Sequence, residues 1–529
     1  MTTAIAARLV GTRRLATARF ARVGAGTLAG LVAALAMTAL MALARWWIGL
    51  PTPAELIGDV FIPSLNLDQF FSLIGRFGGG NGIKRAGIGS VLLGQLVAGT
   101  IAGGVYGALG GGRRGRIFVA AAGLVAWLVT IVPLRPVLHT NYRGLPAGPA
   151  TALTVAGILL LYAAFGLALT LLYRWMVDAP AESEKVGVAG AASAGRRALI
   201  VAGAGVVTAA AAGGLVRLLY DRSTLHYDGT RYRGPDVQPI TPNERFYSVT
   251  KNILDPDIAR PLWRLRLDGR VASPRTFTFD ELAALPGVTT QEATISCISN
   301  DVGDGLASNA VWTGIPLRAL LEPAGLQQPT VKVVLHGADN YTDTISLDKA
   351  LDGTTFVAWE MNGAPLPRRH GYPVRIIVPG RFGEKSVKWV TRIEVVDREV
   401  QGFYERQGWG PTFVTQTFSR FDAPVGGQTL RADEGARLHG VAFAGDRGIE
   451  RVEISTDDGQ TWADARLDYR SSRIAWVLWS LEWRPVQAGE YKLAVRAVDG
   501  TGAYQTSDTR GIAPDGASGY HRITVRVEG

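Results

Sequence analysis

One cysteine stands in 529 residues, Cys297 in the stretch ATISCISNDVGDG. A lone thiol cannot form an internal disulfide, a cysteine-based metal cluster or the paired attachment of a c-type haem. It is either an inert core residue or the one sulfur a reaction needs. Downstream, the run EMNGAPLPRRHGYPVRIIVPGRFGEKSVKWV supplies Arg368, Arg369, His370, Arg375, Arg381, Lys385 and Lys388. Cations among glycines suit recognition of an anion. HGADNYTDTI adds His336, Asp339 and Tyr341, and NERFYSVTKN mixes aromatics with hydrogen-bonding side chains. A soft thiolate beside a basic, Gly-rich phosphate pocket points to a sulfur-bound metal carried by a phosphorylated cofactor.

These residues need a scaffold that holds them together. WRLRLDGRV, VKVVLHG, YPVRIIVPG and VKWVTRIEVV alternate or run apolar between Gly, Pro and Asp, and read as strands. FDELAAL and PLRALLEPAG read as short helices, the second ended by Gly325. The pattern predicts a mixed α+β domain over 220–418. From 419 to 529 short strands recur, with turns at Asp458-Gly459 and Asp499-Gly500, which predicts a small β-sandwich. Trp462, Trp476, Trp479 and Trp483 are placed in its packing.

The first 219 residues differ in kind. Five stretches lack charge: 23–44, 86–112, 117–134, 144–173 and 198–216. Each is near the roughly 18–20 apolar residues needed to cross a bilayer. The segment 60–74 is apolar but broken by Pro63 and Asp68, and reads as interfacial or re-entrant. This part carries 19 Lys/Arg against 6 Asp/Glu, a net +13, while the whole chain is +10 and the remainder therefore −3. A basic excess confined to the apolar part argues against nucleic-acid binding and for loops at a cytoplasmic membrane face. Arg8, Arg13, Arg14, Arg19 and Arg22 precede the first span. Arg113, Arg114 and Arg116 follow the second, and Arg174, Lys185, Arg196 and Arg197 precede the fifth. This places the N-terminus inside, the chain in the cell membrane as a multi-pass protein, and 220–529 on the extracytoplasmic side. Arg196-Arg197 before an Ala/Gly run is similar to a twin-arginine export signal. The expected role of the membrane region is an anchor among lipids.

The order NERFY, ISCISN, AVWTGIPL, NYTDTISLDKAL, AWEMNGAPLPRRHGYPVRIIVPG and KSVKW resembles the sulfite oxidase-like family of molybdopterin-dependent oxidoreductases. The resemblance covers 241–419, most specifically 359–389. It implies three parts: an α-helical membrane region at 1–219, a sulfite-oxidase-type molybdopterin domain at 220–418, and an immunoglobulin-like dimerisation domain at 419–529. It implies molybdenum-molybdopterin as cofactor and Cys297 as the metal ligand. Phe246, Tyr247 and Ser248 would line the pterin, and Asp339 would touch it. His370 and Arg375 would hold the pterin and its phosphate, and Ser386, Val387 and Lys388 would clamp the same group. The pattern also departs from the family. Where sulfite oxidases carry arginines after the cysteine, this chain has Asn300, Asp301 and Val302. Thr250 and Lys251 stand near another arginine position, and Trp409 stands where an active-site tyrosine is expected.

The expectation is a redox enzyme transferring oxygen to or from a small molecule. S-oxide or N-oxide reduction stands beside sulfite-type oxidation. Electrons would pass through a separate carrier, a quinone or a cytochrome, and the C-terminal domain allows a homodimer. A non-catalytic membrane-anchored binding protein and a cysteine hydrolase using His336 or His370 as base remain as different classes.

Overall fold

The computed structural model describes residues 2–177 and 189–529. Lys185, one of the cations used to orient the chain, lies outside the described residues. The chain divides into two compact units, one of Met1–Ile62 and Leu73–His226, the other of Pro63–Ser72 and Tyr227–Gly529.

The first unit is helical. Its elements are α1 (Thr2–Ile48), α2 (Pro53–Phe61), α3 (Leu67–Phe77, which the unit boundary divides), α4 (Gly80–Ala108), α5 (Arg113–Ile131), α6 (Ala147–Val177) and α7 (Ala189–Asp221). Among the described residues five helical stretches are long and apolar enough to cross a membrane: Arg19–Ile48, Gly80–Ala108, Arg113–Ile131, Ala147–Val177 and Gly195–Asp221. These overlap the five expected stretches, and the helices run past them into flanking polar residues. The segment 60–74 is a broken pair of short helices around Pro63, because proline cannot continue the hydrogen-bond ladder.

Glycine sets the closest packing in this unit. A Cβ on Gly26 would sit 2.2 Å from the carbonyl oxygen of Gly103, and one on Gly30 would sit 2.3 Å from that of Gly99. The backbones of α1 and α4 therefore touch directly, as small residues permit in apolar surroundings. Arg45, at the end of α1, is buried with Glu55 at 2.9 Å and lies 3.7 Å from the ring centre of Tyr142. Glu55 also completes a capping box with Thr52 at the start of α2.

The second unit carries four sheets. One is mixed, in the order Arg275–Phe277, Leu265–Gly269, Val390–Val396, Lys332–Gly337, Thr342–Ser346, with the second and third strands parallel. The next runs Thr289–Ser296, Ala307–Pro316, Phe356–Met361, Ala364–Pro365, with Arg375–Ile377 also on Phe356–Met361. Trp263, Leu335, Ile376, Val387, Trp389 and Ile393 belong to one buried core. The expected helices form at Phe279–Ala283 and Arg318–Ala324, the latter ended by Gly325 at φ +70°.

Beyond Phe418 two sheets of four and five strands enclose a core with Phe421, Trp479, Val495 and Val525. The first pairs Ala436–Phe443 with Val477–Trp483; the second pairs Ile449–Ser455 with Gly489–Asp499. Asp458 and Gly459 both have positive φ, the conformation their turn requires. Trp476 and Trp479 are fully buried, as placed from the sequence.

The glycine contact makes a direct prediction. Gly30→Val should drive a side chain into the α4 backbone and cost about 1–3 kcal/mol. Gly24→Val, with nothing within 4 Å of its Cβ, should be tolerated. Thermal unfolding of the detergent-solubilised variants reads the difference; equal melting of both would contradict the packing.

Candidate molybdenum-cofactor site

Cys297 directly follows the strand Thr289–Ser296. Its N–H donates to the carbonyl of Leu306 at 2.9 Å, and the N–H of Leu306 donates to Asn300 Oδ1 at 2.8 Å. The loop is thus clasped at its base, and Asn300 serves that clasp. Asp301 is exposed and accepts from the N–H of Val302 at 2.8 Å. The C-terminal sheets support the strand behind the loop. Ile474 accepts from the N–H of Thr294 at 3.0 Å, Trp476 donates to Thr294 Oγ1 at 2.8 Å, and Tyr469 donates to Glu292 at 2.7 Å. A Cβ on Gly303 would meet His521 Nε2 at 2.3 Å, so the loop lies directly on that histidine.

The thiol packs against a cluster that includes Phe246, Tyr247, Trp312 and Ile377. Phe246 stacks on Tyr247 at 5.6 Å and meets His370 edge-on at 5.3 Å. His370 is buried, with Nε2 3.0 Å from the carbonyl oxygen of Asn243. Arg375 donates to the carbonyls of His370 at 3.1 Å and Ser386 at 3.2 Å. Lys388 donates to the carbonyl of Arg369 at 3.1 Å. Gly371, at φ +113°, brings the His370 turn so close that a Cβ would lie 3.2 Å from Lys388 Cα. Gly383 does the same for Tyr247, whose hydroxyl would be 2.1 Å from a Cβ there.

The electrostatics of this cluster are unbalanced. Among the described residues no carboxylate lies within ion-pair distance of Arg375 or Lys388; both donate to backbone carbonyls. Burial pulls Arg375 down to about 10 and lowers Lys388. Burial, then Arg375, Lys388 and Arg369, holds His370 well below its ordinary value. The buried Arg375 Nε and Ser248 Oγ have no hydrogen-bond partner among the described residues. Buried cations and orphaned donors are costly unless a ligand completes them. An anionic, hydrogen-bonding cofactor fits this set. Burial, then Glu384, pushes the Cys297 thiol up to about 12. A bound metal cation would reverse that, since a coordinating thiol is deprotonated outright.

Other expected residues also make contacts within the protein. Asp339 accepts from Asn252 Nδ2 at 2.9 Å and from the N–H of Tyr341 at 3.2 Å, so its carboxylate serves a turn. Val387 turns its side chain into the core, and its carbonyl accepts from Ile376 at 2.8 Å. Ser386 Oγ accepts from the N–H of Val378 at 3.1 Å. Arg368 and Arg369 brace carbonyls of Pro256 and Asn243. Lys385 is buried between Asp343 at 2.6 Å and Glu405 at 2.5 Å. Sequence reasoning missed Glu384 and set Tyr404 aside as a neighbour of Trp409. Burial pushes Glu384 up to about 8, so its carboxyl is neutral near pH 7. Both come near Cys297 only through folding, although Glu384 stands next to the cation run that drew attention.

The family models matching this chain decide its relationship. One, an oxidoreductase molybdopterin binding domain, matches residues 252–404, and the other, a Mo-co oxidoreductase dimerisation domain, matches 422–528. The chain belongs to the sulfite oxidase-like molybdopterin-dependent oxidoreductases. It is 32% identical over 349 residues to the mitochondrial sulfite oxidase of Drosophila melanogaster, covering 55% of this chain and 60% of that protein. It is 31% identical over 345 residues to the mitochondrial sulfite oxidase of Homo sapiens, covering 54% and 62%. A crystal structure of the sulfane dehydrogenase SoxCD from Paracoccus pantotrophus is similar with a TM-score of 0.48 and 24% identity, over 55% of this chain and 84% of that one. The chain thus spans less than two thirds of the length of the two curated oxidases. Membership makes the molybdenum cofactor the family's resident group.

His521 offers a pH test of the support behind the loop. Burial, then Arg420 and Arg233, holds it down to about 4. Unfolded, it would titrate near about 6.5. Between these values the folded chain binds fewer protons than the unfolded one. Stability should be complete above about pH 6.5 and fall toward pH 4, by up to ~3 kcal/mol. The melting temperature of the native chain should therefore drop more steeply with acid than that of His521→Gln. Parallel acid profiles would contradict a buried neutral His521.

Proposed function

We propose that this chain is a membrane-anchored, multi-pass protein of the cell membrane. Its extracytoplasmic catalytic unit would use the molybdenum cofactor for oxygen-atom transfer or related two-electron chemistry on a small substrate. The observation that carries this reading is the convergence of Cys297, Tyr247, His370 and Arg375 on one cluster, where buried Arg375 and half-buried Lys388 have no carboxylate of the described residues within ion-pair distance. Cys297 would hold the metal through its sulfur. His370, Arg375, Ser386 and Lys388 would hold the pterin and its phosphate, with Phe246, Tyr247 and Ser248 along its side. When bound, the cofactor supplies two-electron oxygen-transfer chemistry. The division into 1–219, 220–418 and 419–529 is part of the proposal, as is an immunoglobulin-like C-terminal domain forming a homodimer. Lipid surrounds the apolar helices, and a quinone or a cytochrome exchanges the electrons.

A specific observation favours reduction of a neutral S-oxide or N-oxide over oxidation of sulfite. Lys385 is neutralised by Asp343 and Glu405, and Arg368 and Arg369 are held by backbone carbonyls. Glu384, its pKa raised by burial, adds no positive charge beside them. A doubly charged anion would find little compensation there. In the reduction, the substrate oxygen leaves as water, taking two protons and two electrons from the reduced carrier. Glu384, neutral near pH 7, is placed to hold one such proton.

Two experiments test this reading. Cys297→Ser should lower turnover to below about one-hundredth of wild type and lower bound molybdenum, with an unchanged circular dichroism spectrum; full turnover in that variant would refute the ligand role. Holo-protein should reduce sulfoxides or N-oxides with a reduced viologen dye faster than it oxidises sulfite with ferricyanide, and the reverse order would overturn the preference. For orientation, a reporter fused after Gly529 should be active outside the cytoplasm.

A further inference from the structure

The ten residues Pro63–Ser72 lie in sequence between the first two apolar helices, yet they group with the catalytic unit. Leu67, Phe70 and Phe71 fall at i, i+3 and i+4, one face of a helix. That face packs against Ile298, Phe382, Trp409 and Phe413. Ile298 is the residue after Cys297. The rings form a continuous line: Phe70 to Phe71 at 5.8 Å, Phe71 to Trp409 at 5.7 Å, Trp409 to Tyr404 at 6.5 Å. Tyr404 packs against the same cluster, which includes Ile298.

Two features separate this cluster from ordinary packing. The indole N–H of Trp409 is buried and has no acceptor among the described residues. Buried donors are almost always paired, so an acceptor brought by a ligand would complete it. The apolar face is also supplied by residues roughly 230 to 350 positions away in sequence from those it covers, which places the Pro63–Ser72 segment beside the residue that follows Cys297.

We propose that Leu67, Phe70 and Phe71 form the outer wall of the approach to Cys297, selecting a neutral oxo substrate whose apolar substituent lies on that wall while its oxygen accepts from Trp409. The substrate class rests on the reading of the site given above; the position of the wall does not. A wall of this kind discriminates by the size of the substituent. It favours an aryl or long alkyl S-oxide over dimethyl sulfoxide, and removing one ring weakens that preference.

The full chain, expressed without molybdenum cofactor, offers a readout independent of turnover because Cys297 is its sole thiol. Phe71→Ala should raise its alkylation by N-phenylmaleimide severalfold more than by iodoacetamide, and Phe71→Leu should leave the ratio near wild type. A merely unfolded variant would speed both reagents alike, so the ratio is the quantity read. In the holoenzyme, Phe71→Ala should lower kcat/KM for methyl phenyl sulfoxide about tenfold while changing it little for dimethyl sulfoxide. An unchanged reagent ratio, or equal losses on both sulfoxides, would overturn the wall. A changed ratio with no turnover of any oxide by molybdenum-loaded protein would support the wall and overturn the substrate class.

Discussion

Arg375 and Lys388 are held by backbone carbonyls, with no carboxylate of the described residues within ion-pair distance. Their enclosure lowers both pKa values, the mark of a charge taken from water without a counterion. On the proposed reading a phosphorylated cofactor would bring the missing charge. The neighbourhood follows from that constraint. His370 must stay neutral beside two cations, and Gly371 must lack a side chain so that its turn can close on Lys388. Arg375 Nε and Ser248 Oγ are left without protein partners.

The cysteine loop obeys a second constraint, that of rigidity. Its base is fixed by Cys297 to Leu306 and by Asn300, and its strand is tied to Ile474, Trp476 and Tyr469. The C-terminal sheets therefore support the thiol as well as forming a domain of their own. The Pro63–Ser72 segment adds an apolar boundary on another side of the same loop. A metal ligand held from several directions keeps its geometry through a catalytic cycle.

Much of this was legible in the sequence, for physical reasons. Strand and helix periods in VKVVLHG, VKWVTRIEVV and FDELAAL are local properties, and those elements formed as expected. The long uncharged stretches announced the five apolar helices. Cys297 was visible because it is alone, and His370, Arg375 and Lys388 because a family motif surrounds them. Glu384 was not visible as a site residue, since its electrostatic influence on Cys297 is created by a chain crossing far apart in sequence. Asn300 was read as a departure from the family's substrate-binding pattern, but its side chain clasps the loop. Asp339 and Val387 matched the motif, and the fold also engages them in a turn and in the core.

The account stands on the claim that Arg375 and Lys388 await an anionic pterin cofactor. The most direct measurement is the pterin and molybdenum content of purified wild-type chain beside an Arg375→Met/Lys388→Met double variant and Cys297→Ser. The account predicts that the wild type carries both, that the double variant loses both, and that Cys297→Ser keeps pterin while losing metal. A double variant that retains pterin at the wild-type level would contradict it.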